Sequence, residues 1–517
     1  VWPGGGGWQT DPQELERWIR TGDLIGAFAT EDGNRIVALC TLTAKPGQKE
    51  NSYVPHLICH PDYHGKKHGK SVLHATVEYG YEAGFRKVDL HTWSGNMKAV
   101  PLYKKTGFMW QPESTVFMEN FIPSARRHPL GTAYFAKHDW YDTLERSIAL
   151  EEDLVTRGKV KVYEYQWRAD DGDFLRMVFD RQSWRLIEIE NHELLVTCTL
   201  PDEKLVAGLP HPVRWEVTNK KPAPVQIFLS ASGDPGVEIT KREILELTGQ
   251  TTIDGSFTID PKIPEKTRDP RAALLNTEMI FDGTDLELCA GINAQQAVDV
   301  SLEVVRSLVA CGRQKALLTL RSNLDAKAVV DLTVRPVHNA SLSRRKHQLI
   351  LKPRTGTELP IELDIAEPGS VALDIEASAR SQGRKIPIKT KRIDLLAVEQ
   401  NRPAAAVGEN SAILYNGSLA LFASRRGGVA DVHYLPGGLR TQRLHLQRPQ
   451  FGPPFSWDDL FQEKAEARIE SDAQGLRLHL NSRSVLHPGL VLDRCIRLTQ
   501  GSLVEVVDTL TNGSSHT

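Results

Sequence analysis

At Val160 the hydrophobic period of this chain changes from four to two, and it stays near two almost to the end. Val160–Arg168, Phe174–Asp180, Arg185–Glu190 and Leu194–Leu200 alternate apolar and polar residues, with turn residues such as Asp171-Gly172 between them. Successive side chains of a strand point to opposite faces, so alternation of this kind specifies a sheet with one buried face. The pattern continues through Val213–Asn219, Val225–Ala231, Ser256–Ile259, Glu278–Phe281 and Glu287–Gly291. A further set runs Val298–Val305, Leu317–Ser322, Val329–Arg335, Gln348–Leu351, Leu359–Ile365 and Val371–Ala377. The spacing predicts two β-sandwiches, over 201–297 and 298–400.

The segment before Val160 reads differently. Val1–Thr10 is glycine-rich and reads as loop. Asp11, Pro12 and Glu14 supply an N-cap, a first-turn proline and an acidic third position, and Leu15, Trp18 and Ile19 share one helical face before Gly22. Strands follow at Leu24–Thr30, Arg35–Ala44 and Tyr53–His60. A basic loop with Gly65 and Gly69 leads to a helix in which Leu73, Val77 and Tyr81 recur every four residues, with Gly84 as its stop. Arg86–His91 is the next strand. The helix after it must take Pro101 in its first turn, where a missing N–H costs nothing. Phe108–Trp110 and Thr115–Ile122 close the sheet. Pro123–Leu130 reads as a polar linker, and Trp140, Leu144 and Ile148 predict a helix over His138–Gly158.

Length and charge bound the rest. A chain of 517 residues implies several domains. A net charge of -2 gives no global pull toward nucleic acid or an anionic membrane. The six cysteines (40, 59, 198, 289, 311 and 495) are too scattered for a disulfide framework and fit a reducing, cytoplasmic compartment. A run of about 18 apolar residues is absent, so a transmembrane helix is not expected, and neither is a signal peptide. The sequence starts at Val1 rather than Met and stops at Thr517 after a strand-like run, which reads as a fragment.

Two stretches carry chemistry. The first is Cys59 to Leu73, CHPDYHGKKHGKSVL, and the second is Lys87 to Phe108, KVDLHTWSGNMKAVPLYKKTGF. A glycine-containing loop that opens a helix offers unpaired N–H groups at the positive end of the helix dipole, which suits phosphate. Lys66, Lys67 and Lys70 add charge there. The bland reading is a strand–turn–helix with solvated lysines. Together the stretches resemble the acetyl-CoA-binding half of a GNAT-family N-acetyltransferase, from near Asp11 to Ile122. Asn96, Ala99, Leu102, Tyr103, Gly107 and Phe108 match the family's N-x-x-A-x-x-L-Y-x-x-x-G-F motif. Cys59-His60-Pro61 and the loop His64–Gly69 correspond to its V-x-P turn and Q/R-x-x-G-x-G/A loop. Gly69 is in register. Lys67 stands where the family has glycine, which is tolerable only if its φ is not positive.

The resemblance implies an α/β acetyltransferase domain over 1–122 that takes acetyl-CoA and an amine acceptor, without a metal. It implies cofactor contacts from Ile58, Cys59, His64, Gly65, Lys66, Lys67, His68, Gly69, Lys70, Ser71, Asn96 and Tyr103. The oxyanion donor is expected as a backbone N–H near Ile58–Cys59. Tyr103 is the candidate acid for the leaving thiolate, or else a packed tyrosine. Asn96 either bonds the cofactor or caps its helix. This central strand lacks the carboxylate base of many family members, so His56 is the candidate base and His91 the reserve, each against a structural alternative. A zinc site at His56, Cys59, His60, His64 and His68 fits no standard spacing, since the strand and loop should send those side chains apart.

Downstream, residues 123–200 read as a linker helix and hairpin segment. Arg214–Asn219 resembles immunoglobulin-like domains, which assigns that class to 201–297 and 298–400. Asn401–Asn410 is a linker, and 411–517 resembles a truncated mutarotase-like sandwich. Its Asp458, Asp459 and Glu463 read as surface acids before they read as a glycosidase pair. Asn339, Asn416 and Asn512 head chance N-x-S/T triplets. The main alternative to an enzyme is a degenerate CoA-binding domain on a carbohydrate- or protein-binding chain, with Phe451, Phe455 and Trp457 as stacking aromatics. A glycoside-active enzyme continuing past Thr517 is a third option.

Overall fold

Six strands form the first sheet: β1 (Leu24–Asp32), β2 (Arg35–Ala44), β3 (Asn51–Cys59), β4 (Lys87–His91), β5 (Met109–Trp110) and β6 (Phe117–Asn120), in the order β1-β2-β3-β4-β6-β5. The computed structural model describes residues 24–513 apart from 46–47, 93–95, 112–113, 115, 154, 158, 203, 264–272, 304–306, 401, 436–442, 447–459, 461–462 and 486–487. The helix expected from Asp11 and the segment Phe451–Asp459 lie outside the described residues. The chain divides into two units, Val1–Gln295 and Gln296–Thr517.

In the first unit β3 and β4 are parallel and the other pairs are antiparallel. A parallel pair needs a crossover, and helix α1 (His68–Glu82) supplies it. Its Leu73 and Val77 are fully buried against the sheet. At Gly80 the packing is so close that a Cβ would lie 2.8 Å from Val88 Cγ2. Helix α2 (Val100–Lys105) takes Pro101 in its first turn. Gly107 follows at φ +85, where a Cβ would also meet Ile122 at 2.9 Å.

The segment expected to be a linker, Pro123–Leu130, forms two short helices, α3 (Ile122–Arg127) and α4 (Pro129–Phe135), and a further turn of helix, α5 (Trp140–Thr143), follows. The long helix expected over His138–Gly158 does not form. Asp139 caps the α5 turn, but Leu144–Glu145 (β7) then pairs with Trp167 and Gln166. Val155–Arg157 (β8) pairs with Val160–Val162. Trp140 and Leu144 are buried as their spacing requires, while Ile148 is 48% exposed. The apolar stripe therefore has no third contact to extend the helix.

Strands β9 (Val160–Arg168), β10 (Phe174–Asp180), β11 (Arg185–Glu190) and β12 (Leu194–Thr199) continue into a nine-stranded sheet with Pro210–Asn219, Gln250–Ile259 and Val237–Glu238. β12 pairs along its length with Arg214–Asn219, so the division expected at residue 200 runs through this sheet. A four-stranded sheet (Lys241–Leu247, Val225–Gly233, Ala273–Phe281, Thr284–Ile292) packs against it. The indole N–H of buried Trp215 donates to Thr277 Oγ1 at 2.9 Å across that gap.

The second unit is all sheet among its described residues. A four-stranded and a five-stranded sheet cover Val298–Val398, and two more sheets cover Ala404–Leu446 and Glu466–Asn512. Alternation places Leu318, Leu320, Leu363 and Leu373 in the core of the first pair, and Leu414, Leu421, Leu478 and Ile496 in that of the second.

Back in the first unit, the nine-stranded sheet seats on the face of the first sheet that α1 leaves open. Along β4, Val88 and Leu90 face α1, so Lys87 and Asp89 face away. Lys87 Nζ donates to Glu119 and lies 3.2 Å from Asp89 Oδ1. Lys45 Nζ is 2.5 Å and Asn51 Nδ2 2.7 Å from Asp89 Oδ2. From β9, the Tyr163 hydroxyl donates to Glu119 Oε2 at 3.0 Å, and the Trp184 ring centre lies 3.8 Å from Lys87 Nζ. Burial alone would push Lys87 down, but Asp89 and Glu119 outweigh it and hold the ammonium above its ordinary range. Burial would likewise raise Asp89, and Lys87 and Lys45 hold it below.

Removing one member leaves a buried charge without compensation, at about 3–5 kcal/mol. Glu119→Ala should therefore lower the urea midpoint of the first unit well below that of Arg214→Ala, which breaks only an exposed pair with Asp254. Equal midpoints would refute the claim. A second group makes stability depend on pH. His128 Nδ1 accepts the Leu130 N–H, and burial pushes the imidazole down to about 4. The stability tied to neutral His128 is complete above 6.5 and is lost as pH falls toward 4, about 3 kcal/mol in all. In His128→Asn, which keeps a capping acceptor, that part of the pH dependence should vanish from denaturation curves.

Candidate functional site

One inserted residue builds the site. Thr43 and Thr41 of β2 face Tyr53 and His56 of β3, so two residues of β3, Val54 and Pro55, stand opposite one of β2, Leu42. The extra residue makes a bulge at Val54–Pro55, where a proline is tolerated because the ladder is already broken. A bulge bends its strand. Pairing with β4 accordingly stops at Val54 and Leu90, although β3 runs on to Cys59. Thr92 N–H turns to Val116 on the β6 side instead. Beyond Val54 the two parallel strands are therefore splayed.

The splay exposes backbone donors. His60 N–H donates to Val37 O at 2.8 Å. Amides alternate along a strand, so those of Ile58 and His56 face β2 while those of Leu57 and Cys59 face the gap. Of the pair expected near the oxyanion, only Cys59 faces the opening, and Leu57 joins it.

The basic loop closes one end of this gap. A 3-10 turn at Pro61–Tyr63 is capped by His60, whose other nitrogen receives Arg35 at 2.6 Å. His64 Nε2 contacts Cys59 O at 3.1 Å, which folds the loop back on the strand end. Gly65 is left-handed at φ +80. Lys67 is left-handed too, at φ +68, so the family's glycine position is here a strained lysine. Helix α1 starts at His68 with no side-chain cap and no acid in its first turn. The Gly69 N–H reaches the Cys59 thiol, which burial pushes up against that pull. Lys66 lies 4.5 Å from the Tyr63 ring centre and Lys70 3.8 Å from that of Tyr141, while Ser71 Oγ bonds Lys67 O. A Cβ on Gly69 would meet Cys59 Cβ and Leu102 Cδ2 at an ordinary 3.9 Å.

Tyr103 approaches from α2. Burial pushes its hydroxyl up to about 12, against a hydrogen bond with Thr92. Asn96 Nδ2 also donates to Thr92 Oγ1, at 2.8 Å, and α2 begins without a side-chain cap. Asn96 and Tyr103 therefore meet through Thr92, a residue the sequence reading missed because the motif holds no fixed position there. His56 lies on the other face of the sheet. Its Nδ1 is 3.2 Å from Thr41 Oγ1, and Thr41 alternates with Cys40, whose thiol meets Thr76 of α1. Burial lowers the His56 pKa, so its ring is neutral at neutral pH. His91 is exposed. His56, His60 and His64 each turn to a different partner, and among the described residues no group of three or more His, Cys, Asp or Glu is arranged to hold a metal.

Residues 2–108 match the Acetyltransferase (GNAT) family model. The chain thus carries a GNAT-family domain at its N-terminal end, followed by a β-rich remainder. The IAA acetyltransferase from Bacillus cereus ATCC 14579 is similar at 17% identity over 20% of this chain and 65% of that one, with a TM-score of 0.17. The GNAT family N-acetyltransferase YhbS from Escherichia coli, in complex with CoA, is similar at 14% identity over 21% and 64%, with a TM-score of 0.18. The native conformation of E. coli alpha-2-macroglobulin is similar at 10% identity over 56% and 24%, with a TM-score of 0.22. The chain thus spans just under two thirds of each acetyltransferase and about a quarter of the macroglobulin. No curated protein matches it.

A left-handed β-branched residue is costlier than a left-handed glycine by about 1–2 kcal/mol. Lys67→Gly should therefore unfold at higher urea than Lys67→Val and bind acetyl-CoA at least as tightly as the wild type. Equal stability of the two variants would remove the strain at this turn.

Proposed function

We propose that the first sheet and its two helices form an N-acetyltransferase that moves an acetyl group from acetyl-CoA to an amine. The observation that carries this reading is the splay beyond Val54. Two free amides, of Leu57 and Cys59, line it beside an uncapped, lysine-flanked helix start. The amides can pair with an extended amide-bearing arm as a strand would, and the loop from His64 to Ser71 suits its pyrophosphate. Acetyl-CoA supplies the activated acyl group. In the reaction the amine nitrogen forms a bond to the thioester carbon and the C–S bond breaks. The Cys59 N–H faces the gap where the carbonyl oxygen gains charge. Neutral His56, directly or through water, takes the proton that the amine must lose. A Tyr103 hydroxyl near 12 is a weak acid, so it serves the departing thiolate first as a hydrogen-bond donor, with Thr92 and Asn96 orienting it.

The sandwiches, read as immunoglobulin-like over 201–297 and 298–400 and mutarotase-like over 411–517, would recognise the acceptor or mediate assembly. All six cysteines are free, which supports a reducing, cytoplasmic setting. Among the described residues no helix is long and apolar enough to cross a membrane. A second reading keeps CoA binding without transfer, and leaves a carbohydrate or protein ligand to the sheets. The strained Lys67 is its specific support.

The test uses the full chain. Acetyl-CoA at a hundred times its dissociation constant should stabilise it by about 2.7 kcal/mol in a thermal melt. Gly69→Glu has room for its side chain but sets a carboxylate in the phosphate site, and should show no shift. With an amine panel, His56→Ala should lose about 10²–10⁴ in rate. It should also lose the activity rise that the wild type shows as pH climbs through a pKa below 6.5. A shift without turnover would select the second reading, and a folded chain with no shift would end both.

A further inference from the structure

A second cavity, of about 430 Å³, lies at the other end of β3 and β4 from the splay. One wall is the buried charge cluster. The other is the nine-stranded sheet, at Lys161 of β9 and the turn Arg181–Trp184 between β10 and β11. The volume is that of a small-molecule site.

Its charge is unbalanced. On the floor, Lys45 and Lys87 are matched by Asp89 and Glu119. Lys161 and Arg181 also line the cavity, and neither has an ion-pair partner among the described residues. The Arg181 N–H donates to Lys161 O at 3.2 Å, so the two cations are anchored side by side. Polar groups surround them: Gln111 and Asn293 line the space, and the fully buried Asn51 presents an Oδ1 with no hydrogen-bond partner.

The turn that supplies Arg181 is held in a costly shape. Trp184 is left-handed at φ +59, a conformation that bulky residues rarely adopt. The strain persists because the turn is over-determined. Asp180, buried beneath it, accepts the N–H groups of Gln182, Ser183 and Gly291 at 3.0–3.1 Å. The indole is thereby laid over Lys87. Backbone strain held this rigidly is found where a site is preorganised.

We propose that this cavity binds a small polar organic anion, a phosphate- or carboxylate-bearing molecule with one or two negative charges. Lys161 and Arg181 take the anionic group, and the amides of Asn51, Gln111 and Asn293 take hydroxyls. Such a ligand contacts both sheets at once and sits apart from the acetyl-CoA loop.

Calorimetry on the full chain tests this with glucose 6-phosphate and gluconate as probes and glucose as the neutral control. At least one anionic probe should bind with a dissociation constant of about 1 mM or tighter, and glucose should not. Lys161→Gln with Arg181→Gln should weaken that binding by about tenfold or more while the acetyl-CoA thermal shift is unchanged. If the double variant does not fold, each single variant carries the test, at about threefold or more. Binding of one probe alone identifies phosphate or carboxylate as the group recognised. No heat from either anion at about 10 mM, equal binding of glucose, or an affinity that survives the substitutions would overturn the assignment.

Discussion

The ammonium of Lys87 is the contact on which the first unit is built. It lies in the middle of an α/β sheet, almost without exposure, where an unpaired charge would be intolerable. Glu119 and Asp89 hold it from its own sheet, and Trp184 covers it from the next one. Tyr163 then ties Glu119 to β9, while Tyr165 donates to Gly107 O and receives the Phe121 N–H. Glu119 Oε2, Gly107 O and the Phe121 N–H thus take their partners from β9 and not from the first sheet. The polar face that α1 leaves uncovered is made for a second sheet, so the two layers are one folding problem.

The same sheet carries two openings with different causes. The splay at Val54 comes from backbone register, since one additional residue turns β3 away from β4 and frees the Leu57 and Cys59 amides. The cavity over Asp89 comes from side-chain polarity, because charged groups and amides cannot close a gap as methyl groups do. Both lie next to a non-glycine residue at positive φ, Lys67 in one case and Trp184 in the other. In each a stiff neighbour holds the strain: the His64 contact with Cys59 O, and the Asp180 carboxylate under the turn.

Legibility followed the range of the interaction. Arg35–Ala44, Val160–Arg168, Phe174–Asp180 and Arg185–Glu190 are strands over the residues that alternation marks, because period two and burial of one face are the same statement. The motif Asn96–Phe108 was readable because Gly107 must be left-handed and Phe108 must be buried beside Tyr103. The helix over His138–Gly158 failed for the opposite reason. Its period of four is real for one turn, and then pairing with β9, which begins only at Val160, captures the chain at Leu144. The bond from Asn96 Nδ2 to Thr92, four residues back across the strand end, left no mark in the periodicity.

The sequence by itself determined the acetyltransferase pattern of the N-terminal part, the change to sheet near Val160 and the identity of most strands, since those rest on local periodicity and steric rules. Tertiary structure alone decided the rest. It set which amides the bulge frees, the conformation of Lys67, and the neutral state of His56. It also brought Lys161 and Arg181 over a cluster more than forty residues away. Electrostatic balance and burial are properties of surroundings, and the surroundings exist only once the two sheets have met.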